Sequence, residues 1–88
     1  MPTWRVIVSG PARRSLESLP EKYANAVVHL FLLLAENPQR VGKKLRAGYQ
    51  GRWVARRGPY RVMYVIDPER HEVRVSKVAH RAHIYRRR

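Results

Sequence analysis

The stretch Arg56-Arg57-Gly58-Pro59-Tyr60-Arg61-Val62-Met63-Tyr64 decides how this 88-residue chain folds. Gly58 can supply the positive φ that the first position of a type II′ turn demands, and the Gly-Pro pair reverses the chain. A two-residue turn pairs Arg57 with Tyr60 and sets Arg56 opposite Arg61. A four-residue loop spanning 57–60 leaves the pairing of 56 with 61 unchanged. An almost wholly apolar strand follows, although buried strands tolerate arginine poorly unless the charge meets a partner. Like charges directly opposite one another destabilise by roughly a few tenths of a kcal/mol or more. Two readings stand: solvated surface arginines with little at stake, or a paired guanidinium clamp on a phosphate, which the planar fork suits.

Working outward, the spacing predicts strands at 52–57, 60–66 and 72–78, the last two joined by a turn at Asp67-Pro68-Glu69-Arg70. Upstream, Trp4-Arg5-Val6-Ile7-Val8 reads as a short buried strand, broken by Ser9-Gly10-Pro11. Ser9 or Gly10 caps a helix running to about Leu19, with Pro11 in its first turn. A second helix is predicted over 20–36, with an apolar stripe of Tyr23, Ala24, Val27, Val28, Phe31, Leu34 and Ala35. Leu30, Leu32 and Leu33 widen it, and Asn37-Pro38 ends it. Residues 39–51 read as a basic, glycine-rich connection anchored by Leu45. The order β-α-α-β-β-β predicts one α+β domain over 1–88, its two N-terminal helices packed on one face of a mainly antiparallel sheet.

Composition narrows the function. Nineteen Lys and Arg face six Asp and Glu, a formal net charge of +13. The acids fall in two windows (Glu17, Glu21, Glu36; Asp67, Glu69, Glu72), leaving 37–66 and 73–88 free of them. Such asymmetry implies a polyanion partner, nucleic acid first. No basic amphipathic helix points to a membrane surface. The apolar run at 26–35 is far short of the roughly 20 residues that span a bilayer. With no cysteine there is neither a disulfide framework nor a thiolate metal site. A cytoplasmic protein without a cofactor is expected.

The segment after the last strand, Val78-Ala79-His80-Arg81-Ala82-His83-Ile84-Tyr85, would emerge beside the hairpin. It adds a cation (Arg81), a phenol (Tyr85) and two imidazoles (His80, His83) that can carry protons near neutral pH. His80 and His83 lack the third ligand that a zinc site needs. His29 reads as a helix-surface residue and His71 as a solvated turn residue. Trp4 and Trp53 read as core or sheet-face residues, with base stacking the alternative for Trp53. No P-loop, Ser/His/Asp arrangement or carboxylate pair is present.

Taken in order, several elements resemble the RelE/ParE toxin superfamily of toxin–antitoxin pairs. They are the opening strand, Leu16-Glu17-Ser18-Leu19-Pro20, Asn37-Pro38, Gly42-Lys43-Lys44-Leu45, Gly51-Arg52-Trp53, the hairpin stretch and the run from His80 to Tyr85. The arrangement is most similar to the RelE-like branch. That resemblance implies a metal-independent, ribosome-dependent endoribonuclease that cuts mRNA in the A site and inhibits translation. Arg61 and Arg81 would hold the scissile phosphate, Tyr85 would stack on or orient the substrate, and Arg56 would stand where family members place a lysine. Because a guanidinium stays protonated, Arg56 could not replace that lysine as a base. The turn has Pro59 where an aspartate is common.

Lys43, Lys44, Arg46, Arg52, Arg57, Arg86 and Arg87 are the expected contacts to RNA and the ribosome. The resemblance further implies a cognate RelB-like antitoxin, acidic and wrapped on the basic face. The alternatives are a ParE-like toxin that inhibits DNA gyrase without cutting RNA, and a nucleic-acid-binding module with no activity.

Overall fold

Alternation along the apolar strand after Gly58-Pro59 builds the molecule's two sides. In the computed structural model, which describes residues 4–46 and 48–86, the elements run β1 (Arg5–Val8), α1 (Gly10–Glu17), α2 (Glu21–Glu36), α3 (Pro38–Val41), β2 (Lys43–Lys44), β3 (Arg52–Arg57), β4 (Tyr60–Asp67) and β5 (Glu72–His80). They form one five-stranded sheet in the order β1-β5-β4-β3-β2. All neighbours are antiparallel except β1, which lies parallel to β5. The helices cover one face, as the α+β reading expects.

Local chemistry explains the helix limits. Extended Ser9 accepts the Ala12 N–H on its hydroxyl, with Pro11 in the first turn, a normal N-cap. Helix α1 ends at Glu17, two residues before the expected Leu19. Helix α2 starts just after Pro20 and stops at Asn37, whose extended backbone suits a residue before proline. Its buried stripe is Val27, Leu30, Phe31, Leu34 and Ala35. Val28 and Leu32 belonged to the expected apolar face but turn outward, Leu32 being 61% exposed. They lie one residue past the inward positions, and that single step of the helix rotates them off the sheet.

Residues 39–51 hold more structure than a connection. Pro38 starts the single-turn α3, and Lys43 and Lys44 pair with Val54 and Trp53 as a fifth strand. Hydrophobic patterning gives no sign of this strand, because two lysines carry none. Leu45 is half-buried, its N–H bonded to the Arg52 carbonyl at 2.8 Å.

The helix-side core gathers Ala12, Val27, Leu30, Phe31 and Leu34 with Ala55, Val62, Tyr64, Val73, Val75 and Val78. Tyr64 is fully buried, stacks beside Trp53 and donates its hydroxyl to the Pro38 carbonyl at 2.7 Å. Trp53 therefore lies on the helix-covered face rather than on an open stacking platform. Gly42 is obligatory for packing: a Cβ there would run into the Tyr64 hydroxyl and lie 2.6 Å from the Val54 carbonyl. At the sheet's far end His71, with φ of 56°, stacks its ring on Trp4 at 4.0 Å. No helix among the described residues is long and apolar enough to cross a membrane.

The buried hydroxyl of Tyr64 yields a test. Tyr64→Phe is expected to lower stability by about 1–2 kcal/mol in urea denaturation, since the Pro38 carbonyl loses its donor. Burial pushes the Tyr64 phenol up to about 12, with the Gly42 backbone pulling slightly the other way. The unfolded phenol ionises near pH 10, so between about pH 10 and 12 the unfolded chain holds fewer protons and stability falls as pH rises. Thermal melts across that window should fall more steeply for the natural chain than for Tyr64→Phe.

Candidate functional site

The β3–β4 hairpin closes as the sequence requires. Arg57 pairs with Tyr60 and Arg56 with Arg61. Gly58 has φ of 58°, and because proline cannot adopt a positive φ the turn is type II′. The two flanking arginines part company at once. Val62 and Tyr64 face the helices, so Arg61 and its partner Arg56 project from the open side of the sheet. Arg57 and Tyr60 take the helix side. The Arg57 Nε is buried with no hydrogen-bond partner among the described residues. Arg57 is thus not brought to the same surface as Arg56.

The open side has a strongly divided charge. Across β3, β4 and β5 its rows run Arg56–Arg61–Ala79, Val54–Met63–Lys77 and Arg52–Val65–Arg74, with Lys43 beside Val54. Salt bridges among the described residues are Arg5–Glu72, Arg74–Glu72 and Arg74–Asp67. All sit at the β4–β5 turn end, about 20 Å along the strand from the hairpin at ~3.3 Å per residue. Arg56, Arg61 and Arg81 toward the hairpin end, and Arg52 at the far end of β3, make no ion pair among the described residues. Arg61 instead donates through Nη1 to the carbonyls of Gly58 and Tyr60, both at 3.0 Å. Backbone dipoles orient that guanidinium without cancelling its charge. Arg56 and Lys43 line a shallow cleft of about 370 Å³ with Val41, Gly42 and Val54.

The tail after β5 comes to the same end, as expected. The Arg81 N–H bonds to the Pro59 carbonyl at 2.8 Å, and two successive turns follow, His83 N–H to His80 O and Arg86 N–H to His83 O. Ile84 is buried, whereas Tyr85 is half exposed. The Tyr85 ring meets Tyr49 edge-on at 5.5 Å, and the Tyr49 hydroxyl reaches the Tyr85 carbonyl at 3.5 Å. The Lys77 ammonium donates to the carbonyls of His83 and Arg86. Sequence reasoning passed over both Tyr49 and Lys77.

The histidines are held elsewhere. His80 pairs with Tyr60 on the helix side, their rings edge to face at 5.8 Å. Its Nδ1 accepts the Ala82 N–H at 3.1 Å, which leaves Nε2 as the nitrogen that carries a proton. His83 looks toward α1 across a cleft that Pro11 and Ser15 also line. The His80 imidazole does not share the face of Arg56 and Arg61. The ring centroids of His80 and His83 are 6.2 Å apart, and no group of three or more metal-ligating side chains forms among the described residues. Lys44 lies on the helix side of β2, Arg46 and Arg86 are exposed, and Arg87 lies outside the described residues.

The pairing of Arg56 with Arg61, with no ion pair to either among the described residues, is chemistry suited to a phosphodiester and to extra negative charge on it. Residues 6–85 match the family described as the ParE toxin of type II toxin–antitoxin systems, parDE. The chain is 44% identical over 84 residues to toxin RelE of Mycobacterium tuberculosis, covering 94% of this chain and 87% of that one. It is 49% identical over 77 residues to toxin RelG of the same organism, covering 86% and 88%. A chain in the crystal structure of the toxin–antitoxin complex RelBE2, also from M. tuberculosis, superposes with a TM-score of 0.85 at 42% identity, covering 93% of this chain and 95% of that one.

Charge division predicts how single-stranded RNA should bind. Affinity is expected to fall steeply between about 50 and 200 mM salt. Arg56→Ala and Arg61→Ala should each reduce the slope of log K against log salt by about 0.7, one released counterion per lost phosphate contact. Arg5→Ala, which removes a cation already paired with Glu72, should leave the slope unchanged. Filter binding across a salt series reads all three.

Proposed function

This chain belongs to the ParE toxin family of type II toxin–antitoxin systems, and on that premise we propose that it is the toxin of such a pair and acts as a ribosome-dependent endoribonuclease that cuts mRNA in the A site. The observation that carries this reading is the hairpin end, where Arg56 and Arg61 pair on the open side, the Arg81 backbone meets Pro59, and no carboxylate pairs with these arginines among the described residues. Its relatives at 44% and 49% identity are the toxins RelE and RelG, which favours RNA over gyrase as the target. The partners are then mRNA on the ribosome and a RelB-like antitoxin whose acidic side chains neutralise the basic face. The setting is the cytoplasm.

The reaction uses the RNA's own 2′-hydroxyl. The O2′–P bond forms while the P–O5′ bond breaks, leaving a 2′,3′-cyclic phosphate and a 5′-hydroxyl. One proton leaves O2′ and one reaches O5′. Arg61 and Arg81 hold the nonbridging oxygens and stabilise the dianionic phosphorane. Arg56, permanently protonated, adds charge but cannot take a proton. Tyr85 stacks on the neighbouring base or passes a proton. Around Arg56 and Arg61 no carboxylate stands among the described residues, so much of the rate comes from holding the RNA in line, a task for which the ribosome supplies the geometry.

Purified protein should be incubated with one mRNA, naked and on programmed ribosomes, and new 5′ ends mapped by primer extension. A-site cuts are expected only on ribosomes. Arg61→Ala and Arg81→Ala should each lower kcat by about 10²–10³. No cuts, with toxicity that survives both substitutions, would assign the chain to gyrase inhibition. No cuts and no toxicity would leave a nucleic-acid-binding module.

A further inference from the structure

A cationic tail lies against a cationic sheet, and among the described residues no carboxylate holds it there. Arg81 and Arg86 follow β5 directly, and the ion pairs among the described residues stand at the other end of the sheet. Behind the tail a cleft of about 820 Å³, lined by Pro11, Ser15, Ser76, Lys77 and His83 among others, separates it from α1. Packing from that side therefore contributes little. What does hold the tail is burial of Ile84, the Arg81 amide on Pro59, the Tyr49 contacts to Tyr85, and the Lys77 ammonium on two tail carbonyls.

Lys77 reaches those carbonyls only because β5 is irregular. Val73 and Val75 face the helices, and strict alternation would send residue 77 the same way. The ladder instead pairs Tyr64 with Val75 and Met63 with Lys77, so Ser76 is one extra residue opposite β4. A bulge of this kind re-aims every side chain that follows it. After it Val78 points into the core opposite Val62, while Lys77 emerges on the open face beside Met63. The Ser76 hydroxyl bonds to the Met63 carbonyl at 3.3 Å and pins the bulge in place.

We propose that Lys77, turned onto the open face by the Ser76 bulge, is the positioning residue that latches the tail at 81–86 onto the sheet, by gripping backbone carbonyls where a carboxylate would have neutralised the arginines. The catalytic consequence rests on the nuclease reading above; the latch itself does not. A carboxylate in that place would form ion pairs with the same guanidiniums that must stay open to a phosphate. A lysine on carbonyls orders the segment and adds to the positive field.

The test uses the full chain with Lys77→Met, which keeps the side chain's length and apolar stem, and Lys77→Arg, which restores a donor. Two readouts are needed: amide hydrogen exchange of residues 82–86, and steady-state cleavage of ribosome-bound mRNA. In Lys77→Met the tail amides are expected to exchange about tenfold or more faster while those of β4 keep their protection. Its kcat should fall by about 10–100-fold with little change in KM, because misplaced groups lose transition-state contacts first. Lys77→Arg should return both readouts to within a few-fold of the natural chain. Unchanged tail protection in Lys77→Met would overturn the latch. A rise in KM at constant kcat would overturn it as well, making Lys77 an RNA contact. If the natural chain cuts no RNA, the exchange measurement still decides the latch and only the nuclease reading fails.

Discussion

Burial of β4 and β5 against α2 lets the other side of this sheet be so heavily charged. Val62, Tyr64, Val73, Val75 and Val78 meet Val27, Leu30, Phe31 and Leu34 in one helix-side core. Side chains of this kind contribute about 1.5–3 kcal/mol each when fully buried. Setting Arg56 against Arg61 costs about 0.2–1 kcal/mol. The apolar term is larger by an order of magnitude, so it dictates the register, and the arginines follow onto the open face. Sliding β4 by one residue would relieve the like-charge pair but would turn the whole apolar set toward solvent.

The same disparity explains how the site stays charged. Its cations are fixed by carbonyls: Gly58 and Tyr60 for Arg61, His83 and Arg86 for Lys77. A carbonyl lends a dipole and takes no net charge away. On the open face the acids stand at the β4–β5 turn end, where Glu72 and Asp67 engage Arg5 and Arg74. Under the proposed function this division has a purpose. One end of the face is neutralised for stability, and the other keeps an unspent positive potential for a phosphate.

Much of the site could be read from the chain because it depends on near neighbours. Gly58-Pro59 demands a II′ turn, the turn demands the pairing of 56 with 61, and alternation then puts Arg56 and Arg61 on one face. The Ser9 cap and the Asn37 stop are equally local. The same alternation already separates Arg57 from Arg56, a signal present in the sequence even though Arg57 reads there as a contact to RNA. Nothing local marked Val28 and Leu32 as the outward members of α2, since an all-apolar helix offers several candidate faces. Nor did any pattern mark Lys43 and Lys44 as a strand, because the free edge of β3 supplies their partner.

By itself, then, the sequence determined the α+β order, the hairpin and its register, and a basic face fit for nucleic acid, each through turn chemistry, periodicity or charge that acts over a few residues. Tertiary structure decided which cations stand together. The extra residue at Ser76 is set by pairing with Met63, 13 positions away, and it alone turns Lys77 outward and Val78 and His80 inward. Tyr49 finds Tyr85 across 36 positions. Such choices are balances among whole strands packing at once, and a linear pattern carries no record of that balance.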